Sequence, residues 1–595
     1  MYDQESGTGR LIRHHAEIHG CPCCSNALEE LLRQSAIDLA RDAETYLANP
    51  LNITERQSHQ TIMFTNARLL TFDDAAHEAD AMLIRDGRIS WVGQAEDAPV
   101  SEDATFIDCQ GRTILPGFVE PHMHLAPIAQ LRKFENVGPF RFPSFAEALD
   151  HLQSLAANAA PDEWVVGRQF DPSLQEGADQ LTADMLDRVS STHPVFVYNA
   201  SLHFAYCNSR ALEVAGIDRA TPDPEGSSFG RYPNGTPNGV LQGGVTMGMV
   251  ARHNPAMKGQ NLVQACLEVF QHAASVGFTT ICDQGTGVIQ GARELDLIQA
   301  VRESNRMSCR FRYSLSNSHA SIWDETDVRF GKGDAWCRAS GWKIVSDGSN
   351  QGLSGLQREP YLADGGLGVA YIAEAALQET VIKRLEQGWP VVVHANGDAA
   401  IDRALDAFQA AKDSGLDTAE RRCRIEHCSI LHDDQIARMA ELGISPSFLI
   451  GHVHWWGKTF RDRIFGNDKA VLLDRTGACE KAGIRWTLHS DEPVTEMGPL
   501  RCIENAVTRR LWQTEDEVLA PEECVGVEAA LRAMTRDAAW QCHSDHEVGT
   551  LEAGKFADFV VLKSDPRTVD TETIGNLEIL ETWVDGRCVY RAEQA

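Results

Sequence analysis

Between residues 116 and 544, short apolar runs alternate with longer stretches of helical periodicity. Eight of the runs read as strands, at 118–124, 279–283, 311–314, 342–345, 391–394, 424–427, 444–448 and 485–489. They are almost continuously apolar, as strands of a parallel sheet covered on both faces must be. Stretches such as 376–386, 400–412 and 434–442 carry apolar residues at helical spacing between them. Eight successive β-α units predict an α/β fold, a (β/α)8 TIM barrel, with its chemistry at the C-terminal strand ends. The stretch 126–269 between the first two strands is too long for a βα loop. It reads as a lid-like insertion with a strand at 194–199 and a helix at 208–215.

The flanks have another rhythm. Alternating short strands fill 60–115, and Asp86-Gly87 between two of them predicts a hairpin. Strand-like runs return at 558–562 and 581–587. Residues 60–115 and 545–595 are therefore expected to pair into one small β-sandwich domain beside a barrel domain of 116–544. Residues 1–59 read as an extension. Cys21, Cys23 and Cys24 precede a helix at 27–47, which Asn26 and Glu29 would cap and whose leucines 28, 31, 32 and 39 share a face.

A chain of 595 residues is long enough for a large barrel with an accessory domain. Lys and Arg number 54 against 85 Asp and Glu, a net charge of −31. So acidic a surface disfavours nucleic acid and anionic membranes as partners, and neither is expected. No apolar run spans a bilayer, and residues 1–20 contain no signal-peptide core, so a cytoplasmic location is expected. The 16 cysteines are scattered, which fits reduced buried thiols.

Polar residues punctuate the apolar strand runs. His122 and His124 stand two apart on the first strand, so both imidazoles project to one side. Lys343 lies in the fourth run, His394 and His427 end the fifth and sixth, and Asp491 follows the eighth. Four histidines, a lysine and an aspartate at one barrel mouth suit Zn2+, with Mn2+ or Fe2+ as alternatives, in one or two copies. Lys343 has three readings. These are a CO2-carbamylated lysine able to bridge two metals, an unmodified lysine beside one metal, and an ion pair with Asp347 or another carboxylate. Asp491 could both ligate and carry a proton from the attacking water to a leaving nitrogen. After strand seven come His452, His454, Trp455 and Trp456, with His454 and Trp455 as candidate substrate contacts. Asp398 and Glu426 could orient ligands from behind. The Cys21, Cys23 and Cys24 group, with His14, His15 and His19, is a further zinc candidate of no standard spacing.

Several segments resemble the amidohydrolase superfamily, in the metal-dependent branch that includes N-substituted formamide deformylases. They are Pro116-Gly117-Phe118-Val119-Glu120-Pro121-His122-Met123-His124, His203 with Asn208-Ser209-Arg210-Ala211-Leu212, and Trp342-Lys343-Ile344-Val345-Ser346-Asp347-Gly348-Ser349. Further along stand His394-Ala395-Asn396-Gly397-Asp398, Arg424-Ile425-Glu426-His427, Ser490-Asp491-Glu492-Pro493-Val494 and the Gly549–Asp558 stretch. The resemblance implies that His122, His124 and Asp491 hold one metal and His394 and His427 another, with carbamylated Lys343 between them. It gives Asp491 the proton shuttle and His203 a substrate or oxyanion contact, and it implies a homodimer or larger homo-oligomer. Glu120 and Pro121 stand where the family more often has Asp and a small residue. The expected reaction is hydrolysis of an amide, N-acyl or N-formyl C–N bond in a small molecule. The rivals are a lyase or isomerase on the same site and a non-catalytic binding protein. A basic pocket would favour acidic substrates, and Arg168, Arg231 and Arg358 are the cations to check.

Overall fold

The computed structural model describes residues 61–74, 78–99, 103–177, 180–200, 202, 204–224, 227–257, 261–288 and 291–593. His203, the cysteine group at 21–24 with its neighbouring histidines, and the helix expected at 27–47 lie outside the described residues.

All eight expected barrel strands form. They are β1 Phe118–Met123, β2 Phe278–Thr286, β3 Arg310–Ser316, β4 Cys337–Val345, β5 Val391–Ala395, β6 Arg424–His427, β7 Ser445–Phe448 and β8 Thr487–Leu488. They lie in sequential order in one parallel sheet, with β1 and β8 at its two ends. The mouth is closed by two backbone bonds between those ends. Asp491 N donates to His122 O (3.2 Å) and His124 N to Glu492 O (3.0 Å). Register brings the polar strand ends level, with Val345 opposite His394 and Ala395 opposite His427.

The covering helices follow the predicted spacing. Glu374–Glu386 buries Leu377, Val381 and Leu385, and Asp398–Asp413 buries Ile401, Leu405 and Phe408. Removing a fully buried phenylalanine such as Phe408 costs about 3–5 kcal/mol, from lost transfer energy and the cavity left behind.

The insertion is richer than its sequence pattern suggests. It builds a six-stranded sheet in the order Ser228–Arg231, Pro237–Gln242, Phe204–Cys207, Val195–Asn199, Val165–Phe170, Glu135–Asn136. Only Val195–Asn199 is apolar enough along its length to be recognised alone. Helix Ser209–Ala215 starts where expected, because the Asn208 side chain accepts from Ala211 N at 2.9 Å and caps it. The sheet is anchored to the barrel mouth. Asn136 donates to Glu496 (2.9 Å), Gln169 to Val494 O (3.3 Å) and Trp456 to Asp171 (3.2 Å).

The two flanks form a four-stranded sheet, Arg88–Gly93, Ala81–Arg85, Thr61–Thr65, Ala104–Asp108, and a second sheet of six strands. In the latter Phe559–Leu562 pairs antiparallel with Thr113–Pro116, joining the two ends of the chain. Asp86 (φ 50°) and Gly87 (φ 77°) both take left-handed conformations, as the tight hairpin requires. Gly117 then leads into β1 so close to β2 that an added Cβ would lie 2.1 Å from the Thr279 side chain. Among the described residues no helix is long and apolar enough to cross a membrane.

Candidate metal centre

Strand alternation puts Glu120, His122 and His124 in one row, and all three are buried. His122 Nδ1 bonds Glu426 Oε2 at 2.7 Å, which turns Nε2 toward Asp491 Oδ1 (3.3 Å) and Lys343 Nζ (3.4 Å). His124 Nε2 stands 3.1 Å from the same Asp491 oxygen. Across the mouth His427 Nε2 meets His394 Nδ1 at 2.9 Å, while His427 Nδ1 lies 4.0 Å from Asp491 Oδ2. His122, His124, Lys343, His394, His427 and Asp491 therefore share one buried cluster, although they come from five strands spread over the chain.

One member escaped the sequence reading. His489 stacks on His122, with ring centres 4.5 Å apart and planes 18° apart. Two overlapping sets have donor atoms within 4.8 Å of one another, His122, His427, His489 and His122, His124, Asp491. The signal was available, because His489 stands two residues before Asp491 at the end of an apolar run.

Burial favours the neutral form of His122, His394, His427 and His489. It is the first cause for His122, whose pKa falls well below the usual histidine range, with the Lys343 charge second. His427 and His489 are likewise depressed, and His394 is pushed down to about 3, each first by burial. Neutral imidazole is the form that binds a metal.

The cluster also leaves valence unused. His427 Nδ1, His489 Nδ1 and Asp491 Oδ1 are buried and make no hydrogen bond among the described residues. Each such atom costs about 1–3 kcal/mol when left unsatisfied. A divalent cation bound by imidazole and carboxylate would satisfy them, so the donors present fit a metal. His427 (φ 70°) and Asp491 (φ 53°) adopt left-handed backbone, which costs a non-glycine residue about 1–3 kcal/mol and marks placement for function.

The supporting layer is specific. Glu426, besides holding His122, has Arg424 Nε 2.7 Å from its other oxygen. Glu120 does not reach the His122 ring. Its carboxylate accepts from Ser490 Oγ (2.6 Å), Ser490 N (3.2 Å) and His122 N (3.2 Å), binding β1 to the turn that carries Asp491. Asp347 accepts from the backbone of Leu356, Asn396 and Gly397 at 2.8–3.0 Å, so it fixes a loop behind His394. Asp398 faces away, toward His432 and Lys469, both at 3.0 Å.

His454 and Trp455 stand apart from the histidines. His454 Nδ1 bonds Arg510 O at 2.8 Å, and Trp455 packs on Phe140 (centres 3.8 Å apart) and Trp512 (5.5 Å). Phe140 and Trp512, unrecognised in the sequence, extend this half-buried aromatic wall. Two of the cations considered for an acidic substrate are held in ion pairs, Arg231 with Asp223 and Arg358 with Asp402 and Asp434, while Arg168 gives its Nε to Phe134 O.

A family model described as the amidohydrolase family matches residues 105–590. N-substituted formamide deformylase of Arthrobacter pascens is 28% identical over 544 residues, covering 89% of this chain and 98% of that protein. Protein LONG AFTER FAR-RED 3 of Arabidopsis thaliana is 27% identical over 543 residues, covering 89% and 91%. Among solved structures, metal-dependent hydrolases of Pyrococcus furiosus and Pyrococcus horikoshii OT3 superpose with TM-scores of 0.66 and 0.68. Their identities are 21% and 20%, and they cover 85% and 86% of this chain and 100% and 99% of their own.

Proposed function

Since the chain belongs to the amidohydrolase family and is a hydrolase of non-peptide carbon–nitrogen bonds, we propose that it cleaves a small neutral amide, N-acyl or N-formyl compound. The observation that carries this is the buried cluster of imidazoles around Asp491 with donor atoms left unused. His122, His124 and Asp491 would hold one divalent ion, and His394 and His427 a second, with His489 beside both. Zinc is the ion that this donor set suits best. Bound there, it would polarise the substrate carbonyl and lower the pKa of water toward neutrality.

The chain's own groups then divide the work. Asp491 Oδ1, free of hydrogen bonds, takes the proton of the attacking water and returns it to the leaving nitrogen. Glu426 fixes the His122 ring through Nδ1. Lys343 Nζ, 3.4 Å from His122 Nε2, would become an anionic bridge on carbamylation by CO2 and so exchange a repulsive neighbour for a ligand. His203 would contact the substrate from the insertion. Trp455 and His454, with Phe140 and Trp512, would receive an apolar N-substituent. The engagement of Arg231 and Arg358 in ion pairs supports a neutral substrate over an acidic one.

The proposal includes a cytoplasmic homo-oligomer. The thirteen described cysteines are free and eleven of them are buried, which supports a reducing compartment. The test is hydrolysis of a panel of N-substituted formamides and N-acyl amines by metal-loaded enzyme. Turnover that chelation abolishes and metal restores is expected. Turnover indifferent to chelation would overturn the reading.

A further inference from the structure

His452 opens the short helical segment His452–Trp456 after β7 and is 1% exposed. Its ring is held edge-on by Trp456 and Phe460, each with centres 5.7 Å away. Its Nδ1 is 3.3 Å from Ser429 Oγ, and its Nε2 is buried with no hydrogen-bond partner among the described residues.

The surrounding bonds determine which nitrogen carries the proton. Asn396 Nδ2 donates to Gly348 O at 2.9 Å, and a carbonyl can only accept, so Asn396 turns Oδ1 toward Ser429. Ser429 Oγ must then give its single proton to Asn396 Oδ1, at 2.7 Å. Only lone pairs remain on Ser429 Oγ for His452, so His452 Nδ1 bears the hydrogen and Nε2 is a bare acceptor. Asn396 stands two residues after His394 and Ser429 two after His427. The relay thus grows from the same strand ends as the metal cluster, and Asn396 Nδ2 also lies 3.2 Å from His394 Nε2. Nε2 of His452 is an acceptor that lacks a donor among the described residues. A substrate amide N–H would supply that donor, and a tertiary amide has none.

We propose that His452 is a specificity residue that accepts the substrate's N–H at Nε2, so that the enzyme selects secondary amides and formamides over N,N-disubstituted ones. The proposal rests on the hydrolase reading above. A site that hydrogen-bonds a substrate N–H discriminates steeply against the analogue without it.

The test compares an N-alkylformamide with its N-methylated counterpart. Wild type is expected to prefer the secondary formamide in kcat/KM by at least about 10²-fold. His452→Ala should bring the two substrates to within about tenfold, losing far more on the secondary one, and His452→Gln, whose Oε1 accepts, should restore part of the preference. Equal turnover of both by wild type, or a His452→Ala variant slowed equally on both, would overturn the proposal and leave the hydrolase reading standing. Turnover of no amide at all would instead sink that reading. The tautomer can be measured without any reference to activity. In protein labelled with 15N-histidine, assigned by difference from His452→Ala, His452 should be protonated at Nδ1 and bare at Nε2, and an Nε2–H tautomer would overturn the proposal.

Discussion

At the N-terminal ends of the barrel strands, Arg310 and Arg312 are fully buried with every guanidinium nitrogen engaged. At the C-terminal ends, His427, His489 and Asp491 are as deeply buried with atoms that bond to nothing described. Arg310 holds Asp558 through two bonds of 2.7 and 3.0 Å and Ala335 O through a third, and stacks on Phe556 at 3.7 Å. Arg312 donates to Ser544 (2.8 Å), Phe311 O (3.0 Å) and Glu547 (3.2 Å). That end joins the barrel to the chain's returning C-terminal segment, and both arginines are saturated by protein groups. At the mouth the unused atoms are imidazole nitrogens and a carboxylate oxygen gathered in one cluster, which is the donor set a divalent cation takes. Arg424 and Glu426 connect the two ends, since Arg424 donates to Pro121 O at 3.0 Å below while Glu426 holds His122 above.

The sharpest break between the two ends is Asp491→Asn. It should lower kcat by about 10²–10⁴-fold while the thermal midpoint changes little, as paired kinetics and calorimetry would show. Arg310→Met should do the reverse. It leaves Asp558 buried and uncompensated, so urea titration should read a loss of about 3–5 kcal/mol, with metal content per folded chain unchanged.

A pH comparison separates the ends next. His543, at the arginine-rich end, is pushed down to about 3 by burial and then by Arg422, Arg424 and Arg338, from an ordinary value of 6.5. The unfolded chain therefore binds a proton at that position between about pH 6.5 and 3 while the folded chain does not. Stability from this group is full above 6.5 and lost as pH falls through that window. Measured against His543→Gln, wild type should lose about 1.4 kcal/mol per pH unit there. A difference flat with pH would contradict the buried neutral imidazole. The smallest effect is expected at the aromatic wall. Trp455→Ala should raise KM for substrates with an aromatic N-substituent by up to about tenfold, equivalent to the 0.5–1.5 kcal/mol of an aromatic contact, and leave those with a methyl group nearly unchanged.

Barrel strands were legible because buried parallel strands write continuous apolar runs, as Val391-Val392-Val393 does before His394. The insertion's sheet was not, because strands such as Ser228–Arg231 and Pro237–Gln242 carry glycine and proline and pair only through long-range contacts. Which polar residues gather at the mouth could be read from their places at strand ends. His489 was overlooked because it closes its run and reads as part of the strand, and only register turns it onto His122. Phe140 and Trp512 lie far from Trp455 in the chain, and no periodicity links them. The Glu426–His122 bond joins residues 304 apart, a partnership that only barrel closure makes visible.

Metal content per chain, measured on protein purified without added metal, tests the central claim most directly. One or two zinc-like ions per wild-type chain, reduced in Asp491→Asn and in His122→Ala but retained in Arg310→Met, are predicted. A wild-type chain that is folded and takes up no divalent metal even when it is supplied would contradict the account.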